Sequence, residues 1–476
     1  MIKKTIYIIV FLFALTTNAT DYYISSSTGS DANNGLSQNT PWQTLNKLNS
    51  LTFSVNDKIL FKSGDTWKGM FWLKGSGTNN NPIIIDKYGG TTKPIIDGNG
   101  YQSAILIYND DYIEINNLEI INEASHLKPN GDKKTLSGFG GADHSWGIGK
   151  YNRFGIKIVS NNRSLYHFRI NNVFVHKIYP TPPAGEEEES HFETPNGITK
   201  KSRGWGIKID VQSKENSFYK VNDVAITNSY FSDIGHYGIW LKPTGLGGKN
   251  YTYYSEDYTI TNCEFNNTGG SGIVTNTLVD VLIEDNIFNG TGSSLDDRMW
   301  KRGSGLWTFR SKNVIVQKNQ FLNAHGWQDS YGAHIDFGNE NIVFQYNYSY
   351  NNEGGFVEVL GDNKNCGYRY NISVNDGWRT DPPNEVKHGR IFWVSNYCGS
   401  GSGCSNTKTF IYNNTVFVPN TMTPEILVMK NTGDTHIFNN LVYVQSGGTK
   451  LSTSLIKTGN TLYVSKNQFY INYNQL

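Results

Sequence analysis

An imperfect repeat marked by asparagine constrains the fold more than any other feature of the chain. A strand-like run that carries Asn beside apolar or aromatic residues recurs ten times, as in INNVFV and QYNYSY. The closest spacings are roughly 24 to 34 residues, which is the period of stacked solenoid coils rather than of compact domains. Asn is a common turn residue, but its recurrence at one place between strands indicates a structural repeat. The marked positions are Asn117, Asn172, Asn228, Asn262, Asn286, Asn319, Asn347, Asn371, Asn414 and Asn440.

A second strand-like run lies between the asparagine-marked ones and is often preceded by Gly. Examples are FGIKIV, WGIKID, YGIWLK, SGLWTF and FVEVLG, in which apolar residues alternate with others. Period-two alternation is typical of a strand with one buried face. Two strand types per coil predict an all-β protein, a right-handed parallel β-helix. In this solenoid, inward Asn side chains would form an amide ladder from coil to coil.

The remaining segments predict how the solenoid is organised. TPWQTLNKLNSL has helical spacing of its apolar residues, so we expect a capping helix over the exposed first edge, within an N-terminal cap region at 20–55. Long inter-coil loops are expected near 123–152 and 180–204. The second contains the acidic run EEEES, which we interpret as a solvated loop. The prediction is one β-helix domain at 20–476.

The first residues and the overall charge restrict location and partners. Lys3 and Lys4, a short apolar run and a small-residue site near Ala19 have the form of a signal peptide at 1–19, which predicts a secreted or periplasmic protein. No later run approaches about 20 apolar residues, the length of a membrane span. A net charge of +1 and 17% charged residues do not favour nucleic acid or a membrane surface as partner. We expect a monomer.

The four cysteines give one structural prediction. Cys398 and Cys404 bracket the short Gly/Ser loop in CGSGSGC, so a disulfide is expected in an oxidising compartment. Cys263 and Cys366 are expected as buried thiols. No Cys/His spacing indicates a zinc site, and neither a metal nor a cofactor is predicted.

Two carboxylates, in HIDFG and FVEVLG, are the candidate catalytic pair. If Ile335 and Phe337 point into the core, Asp336 points outward, and the same reasoning turns Phe356 and Glu358 outward. The carboxylates are 22 residues apart, close to one coil, so we expect them to be stacked. Adjacent strands lie about 4.8 Å apart, near the roughly 5 to 5.5 Å between the carboxyl groups of retaining glycosidases. One pKa of such a pair should rise.

Other side chains on the same outward face are candidates for substrate binding. Exposed Trp rings suit stacking on the apolar face of a sugar, and basic side chains suit hydroxyl, carboxylate or sulfate groups. Glu353, in the turn before the second carboxylate, is a rival acid. The binding candidates are Lys208, Asp210, His236, Trp240, Lys242, Trp307, His334 and Arg390.

The N-terminal segments DYYISSSTGSDANNGLSQNTPWQTLNKLN, DKILFKSGDTWKG and NPIIIDKYGGTTKPIIDGNG resemble secreted β-helix proteins that act on polysaccharides in bacteria of the Bacteroidetes type. QYNYSYNNEGGF and YRYNISVNDG resemble the same group. The carboxylate pair is similar to that of β-helix glycoside hydrolases of families 120, 141 and 174, which include xylosidases and fucanases. The family 120 resemblance implies Asp336 as nucleophile and Glu358 as acid/base, and it implies xylan-type or sulfated fucan substrates.

Two other function classes stay open at this point. A polysaccharide lyase would need a uronate substrate and a base such as Lys208, His334 or Arg390, and Ca²⁺ could then be held by Asp210 and Asp336. A noncatalytic glycan-binding solenoid would need only the exposed aromatic side chains. The carboxylate pair favours the hydrolase.

Overall fold

The protein is a right-handed parallel β-helix built from three long parallel sheets. The computed structural model describes residues 19–123, 152–180, 193–194, 197–198, 203–213, 217–243, 251–326, 328–379, 389–399, 403–445 and 462–471. Within these residues successive turns of the chain add parallel strands to three sheets of 14, 11 and 13 strands. The predicted fold class is therefore confirmed.

The 14-stranded sheet comprises, in order, β1 (Asp21–Ile24), β2 (Lys58–Lys62), β5 (Ile83–Tyr88), β8 (Ile113–Asn116), β11 (Leu165–Asn171), β16 (Val221–Thr227), β19 (Ser255–Thr261), β22 (Leu278–Glu284), β25 (Lys312–Gln317), β28 (Glu340–Gln345), β31 (Lys364–Arg369), β34 (Asn406–Tyr412), β37 (Gly433–Phe438) and β39 (Leu462–Ser465). The 13-stranded sheet comprises β3 (Thr66–Lys68), β6 (Ile95–Asp97), β9 (Glu119–Asn122), β12 (Phe174–Ile178), β17 (Tyr230–Ile234), β20 (Glu264–Thr268), β23 (Ile287–Asn289), β26 (Gln320–Leu322), β29 (Tyr348–Tyr350), β32 (Ile372–Val374), β35 (Thr415–Val418), β38 (Leu441–Val444) and β40 (Gln468–Ile471).

The 11-stranded sheet carries the candidate site and is called the site sheet below. It comprises β4 (Phe71–Leu73), β7 (Ser103–Tyr108), β10 (Arg153–Ser160), β15 (Gly204–Val211), β18 (Ile239–Pro243), β21 (Ile273–Asn276), β24 (Leu306–Phe309), β27 (Ala333–Ile335), β30 (Gly355–Val359), β33 (Arg390–Val394) and β36 (Glu425–Val428). A separate antiparallel pair is formed by β13 (Glu193–Thr194) and β14 (Gly197–Ile198).

The glycine that precedes many strands of the site sheet is explained by close packing. A Cβ atom at Gly238 would lie 2.7 Å from the Phe265 ring, and one at Gly272 would lie 2.5 Å from the Phe288 ring. These two rings stack at 4.9 Å inside the solenoid. Any side chain at the glycines would therefore displace the core, which fixes the backbone where the chain enters each strand of the site sheet.

The predicted asparagine ladder is present in the second half of the chain only. From Asn286 to Asn467 each inward side-chain amide donates to the side-chain oxygen of the next, through Asn319, Asn347, Asn371, Asn414 and Asn440. In the first four marked runs the Asn lies one position earlier, at positive φ. Leu118, Val173, Ser229 and Cys263 hold the buried corner there. The ten residues thus occupy two neighbouring positions rather than one.

The predicted capping helix is α1 (Leu45–Asn49), with Thr44 as its N-cap. The Asn49 side chain donates to the carbonyl of Met70 at 2.9 Å and accepts the N–H of Trp72 at 2.8 Å. These bonds occupy backbone groups of β4, the first strand of the site sheet, so the helix covers an open edge.

Two other predictions are settled or left open by the described residues. The disulfide between Cys398 and Cys404 is confirmed, and Cys263 and Cys366 are buried free thiols. Residues 1–18 of the predicted signal peptide at 1–19 and most of the inserts at 123–152 and 180–204 lie outside the described residues, so these predictions stay untested. No helix in the described part of the chain has the length and apolar character of a membrane span.

Candidate active site

One row of side chains runs along the outer face of the site sheet, because each strand pairs in register with the next. Ile335 lies opposite Val359, which sets His334 beside Glu358. The remaining register places the following residues in one row: Lys157, Lys208, Trp240, Val274, Trp307, His334, Glu358, Trp393 and Leu427.

A cavity of about 690 Å³ lies over the second half of this row. It contains three acidic side chains, several aromatic rings and two arginines, so it combines the groups expected for glycan chemistry. Its lining residues are Arg203, His236, Tyr237, Ser271, Trp300, Arg302, Gly303, Trp307, Gln328, Asp329, His334, Asp336, Phe337, Glu358, Leu360, Trp393, Ser395, Asn396, Tyr397 and Met429.

Asp336 lies directly after β27, where the chain leaves the sheet. Its Oδ1 accepts the backbone N–H of Phe337 at 2.8 Å. Burial raises the pKa of Asp336 to about 6, with smaller contributions in the same direction from Glu358 and Asp329 and opposing ones from His334 and the Phe337 N–H. The carboxyl group is thus able to hold a proton near neutral pH, as a general acid requires.

Glu358 faces the cavity from β30 and is 1% exposed. Its Oε2 lies 3.8 Å from Nδ1 of His334, and the same nitrogen is 2.9 Å from Oγ of Ser304. The predicted direct stacking of Asp336 on Glu358 is wrong, because the coil repeat here is 24 residues and His334 takes the adjacent place. The carboxylates are diagonal neighbours in the same cavity.

Two predicted orientations near this pair also differ from the structure. Phe356, predicted outward, is 4% exposed and packs in the solenoid core. Phe337, predicted inward, lines the cavity instead, since the strand ends at Ile335 and alternation no longer applies.

Asp329 is a third acid in the cavity and was not identified from the sequence. Its Oδ2 accepts Nε–H of Arg302 at 2.9 Å, an ion pair in which both side chains are about one quarter exposed. Asp329 and Ser330 have φ values of 48° and 66°. Two consecutive non-glycine residues in the left-handed region are strained, and they direct this segment toward the cavity.

Glu353, the rival acid of the sequence analysis, is not among the residues that line the cavity. Its carboxylate accepts Nε–H of Arg379 at 2.9 Å and the N–H of Gly326 at 2.9 Å. Arg379 in turn donates to the carbonyl of Gly326 at 2.7 Å. Glu353 therefore holds the start of the segment that carries Asp329, rather than facing a substrate.

Trp307 and His334 are brought together as predicted for neighbours on the outer face. Their rings stack with centroids 5.9 Å apart and an interplanar angle of 7°. Both line the cavity, as does His236. Of the eight predicted binding residues, these three reach the cavity.

The other predicted binding residues do not line the cavity. Lys208, Asp210 and Trp240 are buried, so the expected exposure of the Trp240 ring is wrong. Nζ of Lys208 lies 3.9 Å from the Asp210 carboxylate and 4.5 Å from the Trp240 ring. Arg390 packs behind the cavity, 4.7 Å from the ring of Trp393, and pairs with Glu425. The backbone of Lys242 pairs with Asp210, and its side chain lies outside the described residues.

The suggested calcium site is excluded by the strand order. Asp210 lies on β15 and Asp336 follows β27, with β18, β21 and β24 between them, a separation of about 19 Å. Among the described residues no cluster of three or more His, Cys, Asp or Glu side chains is arranged to hold a metal ion.

Most residues missed by the sequence analysis come from connections that enter the site sheet. Arg203, Trp300, Arg302 and Asp329 precede strands of this sheet and lie outside the alternating runs. One available signal was the acid seven residues before Asp336 in WQDSYGAHID, which belongs to the same connection.

A comparison with protein-family models matches residues 214–469 to the right handed beta helix region family. The match covers more than half of the chain. The chain belongs to the right-handed β-helix family. The predicted resemblance to carbohydrate-active β-helix proteins is also confirmed, by the relatives described next.

A curated relative is a lacto-N-biosidase of Bifidobacterium longum subsp. longum, 25% identical over 96% of this chain. The chain spans 31% of that relative's length. A solved lacto-N-biosidase of glycoside hydrolase family 136 from Eubacterium ramulus is 19% identical, with a TM-score of 0.62 over 95% of this chain and 68% of that one.

A mannuronic acid specific family 6 polysaccharide lyase from human gut microbiota is 10% identical, with a TM-score of 0.51 over 94% of this chain and 82% of that one. At these identities the likeness to both solved enzymes is one of fold. The family that its name gives for the Eubacterium ramulus hydrolase is 136.

Proposed function

We propose that this β-helix protein is a glycoside hydrolase that cleaves a glycan with carboxylates of the cavity. The observation that carries the proposal is the placement of Asp329, Asp336 and Glu358 in one cavity with the rings of Trp307 and Trp393. Like charges held close together oppose folding, so the assembly of these acids beside stacking surfaces for sugar rings favours a catalytic role over a binding role.

The environments of the acids suggest different roles from those implied by the sequence resemblance. Asp336, with its raised pKa, is the proposed general acid, which gives its proton to the glycosidic oxygen as the bond to the anomeric carbon breaks. Asp329, about one quarter exposed and ion-paired with Arg302, is the proposed nucleophile, which forms a bond to that carbon. Asp336 then takes a proton from the water that releases the sugar.

The pair predicted from the sequence, Asp336 with Glu358, is the alternative. Glu358 is nearly inaccessible and faces His334, which suits a group that orients His334 and the substrate. The substrate proposed first is a glycan that ends in lacto-N-biose, because the curated relative aligns with 96% of this chain. Xylan-type and sulfated fucan substrates, predicted from the sequence, come second.

The proposal is tested by product analysis of the purified protein. Wild type and the Asp336→Asn, Asp329→Asn and Glu358→Gln variants are incubated with glycans ending in lacto-N-biose, xylo-oligosaccharides, fucoidan, pectate and alginate. We expect new reducing ends that depend on Asp336 and Asp329. Asp210→Asn is the matched control, since this carboxylate lies on the same sheet but outside the cavity. Full activity of Asp336→Asn would refute the site.

The acid roles are separated by azide and by the product anomer. If Asp329 is the nucleophile, azide restores cleavage by Asp329→Gly and gives a glycosyl azide of inverted anomeric configuration. Azide rescue of Asp336→Gly, the proposed acid/base variant, gives a glycosyl azide of retained configuration. Recovery only in Glu358→Gly would favour the alternative pair. The first-formed anomer, followed by NMR, tests the predicted retaining mechanism.

A polysaccharide lyase is the second candidate, favoured by Arg203 and Arg302 in the cavity. A guanidinium group can neutralise the carboxylate of a uronate, and His334 or Tyr237 would supply the base. The same product analysis separates the two reactions. Ultraviolet absorbance from an unsaturated uronate would identify the lyase, and new reducing ends without it would identify the hydrolase.

A further inference from the structure

The end of the cavity farthest from Glu358 contains two buried polar side chains that the proposed chemistry does not use. His236 precedes β18 and Ser271 precedes β21, whereas Asp336 follows β27. Both side chains line the cavity, and each residue is 1% exposed. This end is therefore separated from the reacting carboxylates by two to three strands of the site sheet.

The His236 imidazole is surrounded by aromatic rings instead of hydrogen-bonding partners. Tyr237 stacks on it with centroids 3.6 Å apart, and the rings of Trp300 and Trp205 lie at 4.8 and 5.9 Å. Neither ring nitrogen has a hydrogen-bond partner in the described part of the chain. Burial, with Arg203 and Arg302 nearby, lowers the pKa of His236 well below its usual value, so the ring is neutral and offers one donor and one acceptor.

Ser271 shows the same feature by comparison with Ser304, the equivalent residue one coil later. Ile273 pairs with Leu306, and each serine lies two residues earlier. Oγ of Ser304 is 2.9 Å from His334 and accepts the N–H of Tyr331. Oγ of Ser271 has no partner within the described residues. Buried polar groups are nearly always paired, and two such groups in one cavity wall indicate a ligand that pairs with them.

We propose that His236 and Ser271, with the rings of Trp300 and Tyr237, form a subsite that recognises an uncharged sugar unit beside the unit cleaved at Asp336. The inference rests on the proposed function in that it assumes cleavage at Asp336. Recognition of the sugar by His236 and Ser271 is a binding property that can be measured separately. Hydroxyl and acetamide groups both donate and accept hydrogen bonds, which complements a neutral imidazole and a hydroxyl.

The surrounding charges restrict the ligand class further. Arg203 stacks on Trp300 at 4.2 Å, and Arg302 is paired with Asp329. The positive charges of Arg203 and Arg302 near His236 disfavour an amino sugar with a free ammonium group at this end of the cavity. A carboxylate or sulfate cannot donate a hydrogen bond to an imidazole nitrogen, so an acidic group placed at His236 satisfies only the N–H of the ring.

Binding of disaccharides to the Asp336→Asn protein tests the subsite without turnover. Lacto-N-biose and xylobiose are the neutral probes and digalacturonate is the acidic probe, each titrated calorimetrically. We expect at least one neutral probe to bind, and its affinity to fall about tenfold or more when His236→Phe keeps the ring but removes both nitrogens. Ser271→Ala should weaken binding severalfold. The matched control is Thr275→Val, which removes another buried hydroxyl without a partner on β21 that does not line the cavity.

The outcomes separate this inference from the proposed reaction. Equal affinity in the parent and His236→Phe proteins, binding of the acidic probe alone, or no binding of any probe would overturn the subsite. A matching loss in Thr275→Val would assign the effect to packing and overturn it as well. Cleavage that persists in Asp336→Asn would refute the catalytic proposal while leaving these affinities interpretable.

Discussion

The outer face of the site sheet carries two clusters of charged and aromatic side chains, which differ in whether their charges face one another or face a cavity. On β10 and β15, Lys157 and Lys208 each lie 3.9 Å from the carboxylate of Asp210, and all three are buried. On β27 and β30, Asp336 and Glu358 line a cavity, and burial raises the pKa of Asp336 to about 6. The first cluster places two ammonium groups around one carboxylate, none of which lines that cavity, while the second keeps acids together beside space for a ligand.

The difference shows that position in the row does not by itself create a site. Lys208, Trp240, Trp307 and His334 occupy equivalent strand positions, yet only the last two line the cavity. What distinguishes them is the connections that bring Trp300, Arg302 and Asp329 against the sheet. Exchanging charges in one cluster and then in the other should therefore affect different properties.

The largest expected effect is on catalysis in the cavity cluster. Asp336→Asn removes the proposed proton donor and should lower kcat/KM by about 10²- to 10⁴-fold. Steady-state kinetics on the best substrate measure it, with Asp210→Asn expected to remain within about twofold of wild type. A comparable loss in both variants would remove the contrast between the clusters.

Substitution in the cluster of Lys157, Lys208 and Asp210 should lower the stability of the fold instead of the activity. Asp210→Asn leaves Lys157 and Lys208 buried near one another without this carboxylate, which should cost roughly 3 to 5 kcal/mol of unfolding free energy. Urea unfolding followed by circular dichroism measures the loss. If stability is unchanged but substrate affinity falls, Asp210 belongs to the binding surface after all.

Replacement of Asp336 should also change stability, in a pH-dependent way and in the direction opposite to the change expected for Asp210→Asn. The folded pKa of Asp336, about 6, exceeds the ordinary aspartate pKa of 3.8, so wild-type stability falls as pH rises between these values. The loss is at most about 3 kcal/mol, since one pKa unit corresponds to about 1.4 kcal/mol. Asp336→Asn should therefore be more stable than wild type above pH 6 and similar near pH 3.5. Equal melting temperatures at pH 7 would contradict the raised pKa.

The smallest effect concerns the support of Asp329. Glu353→Gln weakens the charge-assisted bonds to Arg379 and Gly326 and should lower kcat/KM about tenfold, without a change in the pH dependence set by Asp336. Glu425→Gln is the control, because it alters another Glu–Arg pair, with Arg390, whose members do not line the cavity. Equal losses in the two variants would indicate a general effect on folding.

The fold could be predicted from the sequence because each coil repeats the same local pattern, as Gly238 with Phe265 and Gly272 with Phe288 illustrate. The outward direction of His334 and Glu358 followed from alternation within strands. The register between β27 and β30 did not follow from it, because the coil is two residues longer than the spacing of Asp336 and Glu358. His334, and not Asp336, is therefore the neighbour of Glu358. Asp329 lies in a connection whose left-handed residues have no period, so only the folded chain brings it to the cavity.

The packing of glycine against phenylalanine in the site sheet has a consequence for how a solenoid of this kind can change in length. The residues that line the cavity extend from Arg203, before β15, to Met429, after β36, seven strand spacings, or about 34 Å. Insertion of a complete coil between β21 and β24 would separate His236 from Asp336 by one further spacing while repeating the same core. Under the proposed function, duplication of coils would therefore change the length of glycan accepted in discrete steps, with the chemical groups left intact.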